Sequence, residues 1–357
     1  MRVKAGIFVG VFFLTVFFLG VRWRAFGLMD DIMWADQTEY IQKNDARQYD
    51  ARNAYGHPGT TITTGTFVVS RLTKLPYRSS LYVFLTVFCG ILIAVAATIC
   101  YGLAPGDVWW LTTGFVLSLD KAYEYATPPS VAAALLVVLV VLLTLVVLKR
   151  GESGRLGSLF FWGVGWGTLL ATRFDIGAAT GVFFLPLVLW QTGWRKTLSV
   201  VAVAIFLFLL ADPFMWSNPI GHVRDLIGKA GYHYLEYPAR RLSWVEVSTF
   251  SSQAFVSMVF AGLFVVLGKR LAKPFPSKFL VCLLIFTVGL YAVFLTANYQ
   301  AARYFLPLTL TWQVLLPAFL FSLISKPRIK IYAAGLFIGI SIMTYGVYFW
   351  RWRGLLS

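Results

Sequence analysis

Charged side chains are scarce in this sequence of 357 residues. Asp, Glu, Lys and Arg make up 13% of the chain, whereas hydrophobic residues make up 59% and the mean hydropathy is +0.73. A soluble domain of this length needs more polar residues to cover its surface, so the composition excludes that class. Apolar runs of about 18 or more residues recur along the chain and indicate membrane-spanning helices. The sequence therefore predicts an all-α polytopic membrane protein.

Cysteine is also scarce, and no nucleotide-binding Gly-rich loop is evident. Cys89, Cys100 and Cys282 lie in apolar runs without paired or metal-type spacing, which argues against a disulfide framework and against a zinc site. The net charge is +16, but the basic residues are scattered between apolar runs. Membrane lipids with anionic headgroups are therefore the expected partner, and nucleic acid is not.

About 11 apolar segments (10 to 13) qualify as membrane spans, and together they predict a single transmembrane domain over residues 1–357 with no separate soluble domain. The first follows Arg2 and Lys4, lacks a cleavage site after it, and ends in "VRWRAFGLMDD", which is typical of an uncleaved helix with an interface anchor. The run 108–119 is too short to span and is expected to be re-entrant. The eleven spans are 5–21, 58–73, 81–101, 129–148, 157–171, 175–191, 197–211, 251–268, 280–297, 303–324 and 331–350.

The distribution of Lys and Arg predicts the orientation. With the N-terminus in the cytoplasm of a cell (inner or plasma) membrane, every cytoplasmic segment holds at least two basic residues. These segments are the N-terminal tail, 71–78, 149–155, 195–196, 269–278 and 326–330. The extracytoplasmic face then carries two large polar loops, 22–57 and 212–250, and shorter polar segments, including 102–128.

The first outer loop holds the densest group of carboxylates. Six of the fifteen acidic residues lie between Asp30 and Asp50. In "WADQTEY", Asp36 and Tyr40 are four residues apart and would share one face of a short interfacial helix, with Trp34 as its membrane anchor. The loop ends in "GHPGT", where His57 would cap a helix that begins at the following proline. A solvated amphipathic helix and a simple membrane-entry turn are the alternatives.

Further polar islands interrupt the later apolar runs on the same predicted face. Asp120 and Glu124 are one helical turn apart, and "LLATRFDIGAA" places Arg173 in a break between two runs. In "ANYQAARYFLPL", Arg303 enters an apolar helix with Tyr304 beside it. An arginine fork can hold a phosphate with two hydrogen bonds, so the two arginines could close on one anionic group. Salt bridges or snorkelling to the lipid headgroups are the alternatives. "LLADPFMWSNP" leads into the second outer loop.

The order of these motifs resembles the GT-C class of integral membrane glycosyltransferases, especially the branch related to protein O-mannosyltransferases and aminoarabinose transferases. In that class an Asp-Glu-x-x-Tyr type motif follows the first helix, and His-Pro-Pro or His-Pro-Gly opens the second. Here "DQTEY" (36–40) and "HPG" (57–59) are similar to these elements. "ATRFD", "DPFMWSNP" and "ARYFLPL" resemble later features, so the similarity of order extends over most of the chain.

The resemblance implies inverting transfer of a sugar from a polyprenyl-phosphate donor to a hydroxyl of a lipid, polysaccharide or protein acceptor on the extracytoplasmic face. Asp36 is the expected catalytic base, with Asp31 and Glu39 as alternatives, and Arg173 and Arg303 are expected to bind the donor phosphate. No metal ligands are assigned, and a divalent metal is not indicated. The substrate pocket is expected to include Tyr40, His57, Asp120, Glu124 and Tyr304.

Two departures from the pattern keep other functions open. Gln37 replaces the second acid of the Asp-Glu pair, which argues against roles that need paired carboxylates, and the short chain leaves the loops to bind the acceptor. A multi-pass transporter or lipid flippase is one alternative, although no internal repeat is visible. A non-catalytic subunit of a cell-envelope assembly is the other.

Overall fold

The computed structural model describes residues 2–42, 59–120, 123, 126–149, 152–212, 218–236, 241 and 275–356. Within these ranges the chain forms thirteen α-helices, and a short 3-10 turn, Ala302–Phe305, precedes the twelfth. The helices are Arg2–Phe26 (α1), Asp31–Gln42 (α2), Thr60–Thr73 (α3), Tyr77–Leu103 (α4), Trp109–Leu119 (α5), Pro128–Lys149 (α6), Glu152–Thr172 (α7), Phe174–Thr192 (α8), Trp194–Ala211 (α9), Pro219–Leu235 (α10), Ser277–Thr296 (α11), Leu306–Leu323 (α12) and Pro327–Leu356 (α13).

Eight of these helices are long and apolar enough to cross a membrane: α1, α4, α6, α8, α9, α11, α12 and α13. This confirms a polytopic membrane protein built from helices. Each of the eight corresponds to one of the eleven predicted spans. The predicted span 157–171 lies in α7, whose apolar part, Leu156–Thr172, is shorter than a full span. The predicted span 58–73 corresponds to α3, which has only 14 residues, and 251–268 lies outside the described residues.

Helix α6 lies at the centre of the bundle. Its sequence from Pro128 to Leu148 contains no charged residue, and a helix that is apolar all round is expected to be enclosed by other helices. Of its most apolar window, 94% is buried, and it packs against α4, α7, α8 and α12. The predicted re-entrant run forms α5, which packs beside α1, α4 and α12.

Helices α7 and α9 approach closely through two glycines on one face of α7. A Cβ on Gly163 would lie 2.9 Å from the Val200 carbonyl oxygen, and one on Gly167 would lie 2.4 Å from the Ala204 carbonyl oxygen. Small residues four apart allow two membrane helices to bring their backbones together. The spacing of these glycines therefore sets the distance between α7 and α9.

The packing of α1 against α4 defines the two ends of the bundle. The helices are antiparallel, because Gly20 faces Thr86 while Gly102 faces Lys4. We call the two ends the Asp31 end, where α1 finishes and α2 begins, and the Lys4 end. At the Asp31 end Arg78 donates to the Asp31 carboxylate at 3.0 Å. At the Lys4 end Lys330 pairs with Asp107 at 2.8 Å.

Helix α5 returns the chain from the Lys4 end toward the Asp31 end. Along α1, Gly114 faces Val11, the Ser118 hydroxyl lies 2.7 Å from that of Thr15, and Arg22 reaches the Asp120 carbonyl. The 11-residue helix is about 16 Å long and covers only part of a hydrocarbon core of about 30 Å. The chain nevertheless passes here from the Lys4 end to the Asp31 end, where Ser130 at the start of the next helix contacts Arg173. The expectation that 108–119 is re-entrant is therefore wrong, because a re-entrant segment begins and ends on the same face.

These contacts correct two parts of the predicted topology. The segment 71–78 was expected on the face opposite to loop 22–57, but Arg78 and Asp31 are in contact. Likewise, Asp107 was expected on the face opposite to 326–330, but it pairs with Lys330. The position of 71–78 follows from α3, which has 14 residues and does not cross the bundle. Helix α3 forms a hairpin with the start of α4, in which Gly65 faces Phe84.

Candidate functional site

Helix α2 separates its carboxylates into one buried and two exposed side chains. Asp31 is 5% exposed, accepts two hydrogen bonds from Arg78 at 3.0 and 3.2 Å, and accepts a third from the Tyr82 hydroxyl. Asp36 and Glu39 are exposed. Asp36 makes no hydrogen bond or ion pair with any described residue. Of the three candidate bases, Asp31 is therefore committed to holding α2 on α4, whereas Asp36 is accessible.

The opposite face of α2 is buried, and it carries Gln37. This side chain is 2% exposed, and its Oε1 atom accepts no hydrogen bond from the part of the chain that the structure describes. Trp34 and Thr38, one turn apart, share the same face and are 1% and 0% exposed. The glutamine in place of the second acid thus points away from the exposed Asp36.

Trp34 packs against the backbone rather than the membrane interface. Its ring lies where a Cβ on Gly59 would be, 2.1 Å away, and Gly59 has a φ of +58°, a conformation that favours glycine. The expectation that Trp34 anchors α2 at the interface is therefore wrong, because the glycine of the "HPG" motif provides a buried surface for its ring.

The same glycine joins the first loop to the end of α7. The Gly59 amide donates to the Thr172 carbonyl at 3.2 Å, and the Thr60 hydroxyl donates to the Ala171 carbonyl at 3.0 Å. The motifs "HPG" and "ATRFD" are distant in the sequence and adjacent in the fold. His57, Glu124 and the side chain of Tyr40 lie outside the described residues.

Arg173 occupies the break between α7 and α8 and is 4% exposed. Its guanidinium donates to both oxygens of Asp175, with Nε 3.1 Å from Oδ1, and to the Ser130 hydroxyl at 3.3 Å. The alternative of a local salt bridge is thus realised. The guanidinium carbon also lies 5.4 Å from the centre of the Tyr304 ring.

Arg303 approaches the same tyrosine. Its guanidinium carbon lies 5.7 Å from the ring centre, and Nη1 lies 3.3 Å from the Met29 sulfur, between α1 and α2. The side chain is half-buried and forms no ion pair with a described carboxylate. The structure therefore brings the two predicted arginines onto one ring, where Asp175 offsets one positive charge and no carboxylate of the described ranges pairs with the other.

Asp120 is buried beside another buried arginine. Arg22 is 2% exposed, donates to the Asp120 carbonyl at 2.5 Å, and lies 5.8 and 5.7 Å from the ring centres of Tyr123 and Tyr345. Burial and the Asp120 carboxylate raise the pKa of Tyr123 well above its ordinary value, so its hydroxyl stays protonated and donates to the Leu117 carbonyl.

A scan against protein-family models, a search of curated proteins and a search of solved structures each find no match.

Two charged groups of the Asp31 end were not identified as candidates from the sequence. Arg22 was assigned to an interface anchor, but its side chain is buried and contacts Asp120. His222 was not assigned any role, yet its Nε2 lies 3.0 Å from the Asp212 carboxylate and both side chains are buried. A histidine ten residues after an aspartate carries no local signal for this contact.

The described ranges hold no group of three or more His, Cys, Asp or Glu side chains that could bind an ion. The site that the geometry offers is thus a set of charges at one end of the bundle. It combines an exposed carboxylate on α2 with two arginines on a buried tyrosine.

Proposed function

We propose that the protein transfers a sugar from a polyprenyl-phosphate donor to an acceptor hydroxyl with inversion, at the extracytoplasmic face of a cell membrane. The observation that carries the proposal is the placement, at one end of the bundle, of an accessible carboxylate and of an arginine that forms no ion pair with any described carboxylate. Asp36 lies on α2, and Arg303 contacts Met29 just before α2 begins. A transferase of this type needs both groups beside a lipid-borne donor.

The reaction assigns each group a role. The acceptor oxygen attacks the anomeric carbon from the face opposite to the phosphate, and the bond from that carbon to the phosphate oxygen breaks. Asp36 takes the proton of the hydroxyl. The electron pair of the broken bond leaves with the polyprenyl phosphate, whose negative charge Arg303 and Arg173 stabilise. Glu39, exposed on the same helix, is the alternative base.

The distribution of charge supports an extracytoplasmic site. Lys4 and Lys330 lie at the end opposite to Asp31, and the positive-inside rule assigns such an end to the cytoplasm. A donor with an isoprenoid tail also suits a site beside membrane-spanning helices, because the tail can stay in the bilayer while the headgroup reaches α2. The acceptor class (lipid, polysaccharide or protein) is left to the experiment.

The test compares the surface glycans of cells that lack the protein with those of complemented cells. Mass spectrometry of glycolipids and glycoproteins is expected to show one species that is lost on deletion and restored by the wild type. Asp36→Asn removes the base and is expected not to restore it at equal expression. Asp225→Asn, a change at another exposed carboxylate, is the matched control and is expected to restore it.

Each other result points to a different conclusion. Full restoration by Asp36→Asn would eliminate Asp36 as the base and direct attention to Glu39. If deletion leaves every glycan unchanged, the transferase proposal fails and the transporter and assembly-subunit alternatives take its place. Transport of a labelled lipid by the purified protein in vesicles then separates those two.

A further inference from the structure

Helix α10 is anchored to the bundle near both of its ends. Near its start, His222 Nε2 lies 3.0 Å from Asp212 Oδ2, at the end of α9, and the two side chains are 5% and 0% exposed. At its last residue, the Leu235 carbonyl accepts a hydrogen bond from the Asn298 side-chain amide. The whole helix has 17 residues and is about 25 Å long.

Few other described side chains hold α10 in place. Leu226, one turn after His222, is 1% exposed and packs in a small cluster with Leu170, Ala171 and Phe208, against which Phe174 is also packed. The other face carries Ile220 and Ile227, which are 83% and 58% exposed. The buried hydrogen bond of His222, the buried Leu226 and the partly buried Val223 thus dock the first half of α10.

Both contact regions of α10 adjoin the arginines on Tyr304. Phe174, which packs in the cluster around Leu226, directly follows Arg173 in the chain. Asn298 directly precedes Tyr299, whose ring packs edge-on against Tyr304 with the centroids 6.4 Å apart. A movement of α10 would therefore be transmitted on one side to the segment of Arg173 and on the other to Tyr304.

We propose that α10 is a strap that positions the two arginines on Tyr304, and that the Asp212–His222 hydrogen bond is its fastening. Asp212, His222 and Asn298 are positioning residues, because they act through Phe174 and Tyr299. When the fastening opens, α10 lifts from α8 and the segment 297–305 loosens with it. The consequence for a phosphate ligand rests on the proposed function, whereas the coupling between the two segments does not.

The coupling is tested by hydrogen–deuterium exchange on the purified full-length protein in detergent. In His222→Leu the buried hydrogen bond is lost, and amide exchange is expected to become roughly 5- to 30-fold faster in 219–235 and also in 297–305. His222→Gln keeps an amide donor near the position of Nε2 and is expected to restore slow exchange in both segments. Arg224→Gln, at an exposed position on the same helix, is the matched control and is expected to change neither segment.

Asn298→Ala removes the other anchor and provides a second route if His222→Leu fails to fold. It is expected to speed exchange in both segments as well. Faster exchange in 219–235 with no change in 297–305 would overturn the coupling. No change in either segment would show that the hydrogen bond does not fasten the helix.

A second experiment, in which a ligand is added, separates this proposal from the proposed function. Farnesyl phosphate, a short polyprenyl phosphate, is added to the wild-type protein and is expected to slow exchange in 297–305. If it does not, while the variants still show coupled exchange, the donor assignment is wrong and the strap stands. If farnesyl phosphate slows exchange in 297–305, but 219–235 and 297–305 exchange independently in the variants, the strap is wrong and the donor assignment stands.

Discussion

Arg173 lies with its guanidinium carbon 5.4 Å from the centre of the Tyr304 ring, and Arg303 approaches the same ring at 5.7 Å. The negative face of an aromatic ring attracts a cation, but two cations near one ring also repel each other. Asp175 offsets the charge of Arg173. An anion bound at Arg303 would offset the second charge, which makes this arginine the expected contact of a donor phosphate.

Replacing Arg303 by glutamine is expected to weaken the binding of a polyprenyl phosphate by at least 10-fold. A charge-assisted hydrogen bond contributes about 1.5–3 kcal/mol, and the neutral amide cannot replace it. Arg303→Lys keeps the charge without the planar fork, and its affinity is expected to lie between those of the wild type and Arg303→Gln. Equilibrium binding of farnesyl phosphate to the purified protein measures the effect.

The control for this measurement is Arg328→Gln, a change at an exposed arginine that begins α13 near Lys330 and the other end of the bundle. It is expected to bind as the wild type does. Equal weakening by both substitutions would mean that net charge, rather than Arg303 itself, attracts the ligand.

Asp175→Asn is expected to destabilise the protein by about 3–5 kcal/mol, because it leaves the buried Arg173 without its counter-charge. Side-chain exposures of 5% and 9% mean that water cannot screen the remaining charge. The double variant Arg173→Met, Asp175→Leu is expected to lose less stability than the single one. Thermal unfolding in detergent compares the three proteins, and an unchanged midpoint in Asp175→Asn would contradict the prediction.

The side of the membrane on which each loop lies can be tested by cysteine labelling in a cysteine-free background. Ile32→Cys and Lys74→Cys, both exposed, are expected to react with an impermeant maleimide from the same side, because Arg78 contacts Asp31. Pro105→Cys and Lys326→Cys are expected to react from the opposite side, since Asp107 contacts Lys330. If Lys74→Cys and Lys326→Cys instead react from the same side, the topology predicted from the basic residues alone would be correct.

Gly167→Ala is expected to destabilise the bundle by about 1–3 kcal/mol, because the new methyl group would lie 2.4 Å from a backbone oxygen of α9. Gly157→Ala on the same helix meets nothing within 4 Å and serves as the matched control. It is expected to be neutral, or to stabilise α7 by up to about 1 kcal/mol through its helix propensity. Equal unfolding midpoints for the two variants would refute a close contact between α7 and α9.

Hydropathy identified the membrane helices well, because each long apolar run must be helical in a bilayer. It failed for α3, whose apolar residues pack on α2 and α4 in a segment too short to cross. The charge rule then assigned 71–78 to the wrong side relative to Asp31. Local charge density does not reveal that Arg78 is neutralised by an aspartate 47 positions earlier.

The candidate site was predicted in part for a similar reason. The isolated arginines 173 and 303 could be selected from the sequence, because a charge within an apolar run is costly and needs a specific partner. Their meeting on Tyr304 depends on the packing of α8, α11 and α12. The exposure of Asp36 and the burial of Asp31 depend on how α2 rests on α3 and α4, which the weak apolar periodicity of this helix does not reveal.

Among the described helices, α6 is the most apolar and also the one most completely enclosed by its neighbours. In the folded bundle α6 therefore contacts other helices rather than lipid, and this position does not require so high a hydropathy. During biosynthesis, however, each helix leaves the insertion machinery and meets the bilayer before its neighbours surround it. Uncharged Val, Leu and Ala side chains make α6 stable in contact with lipid until later helices enclose it. Its composition therefore suits a helix that is inserted before its neighbours.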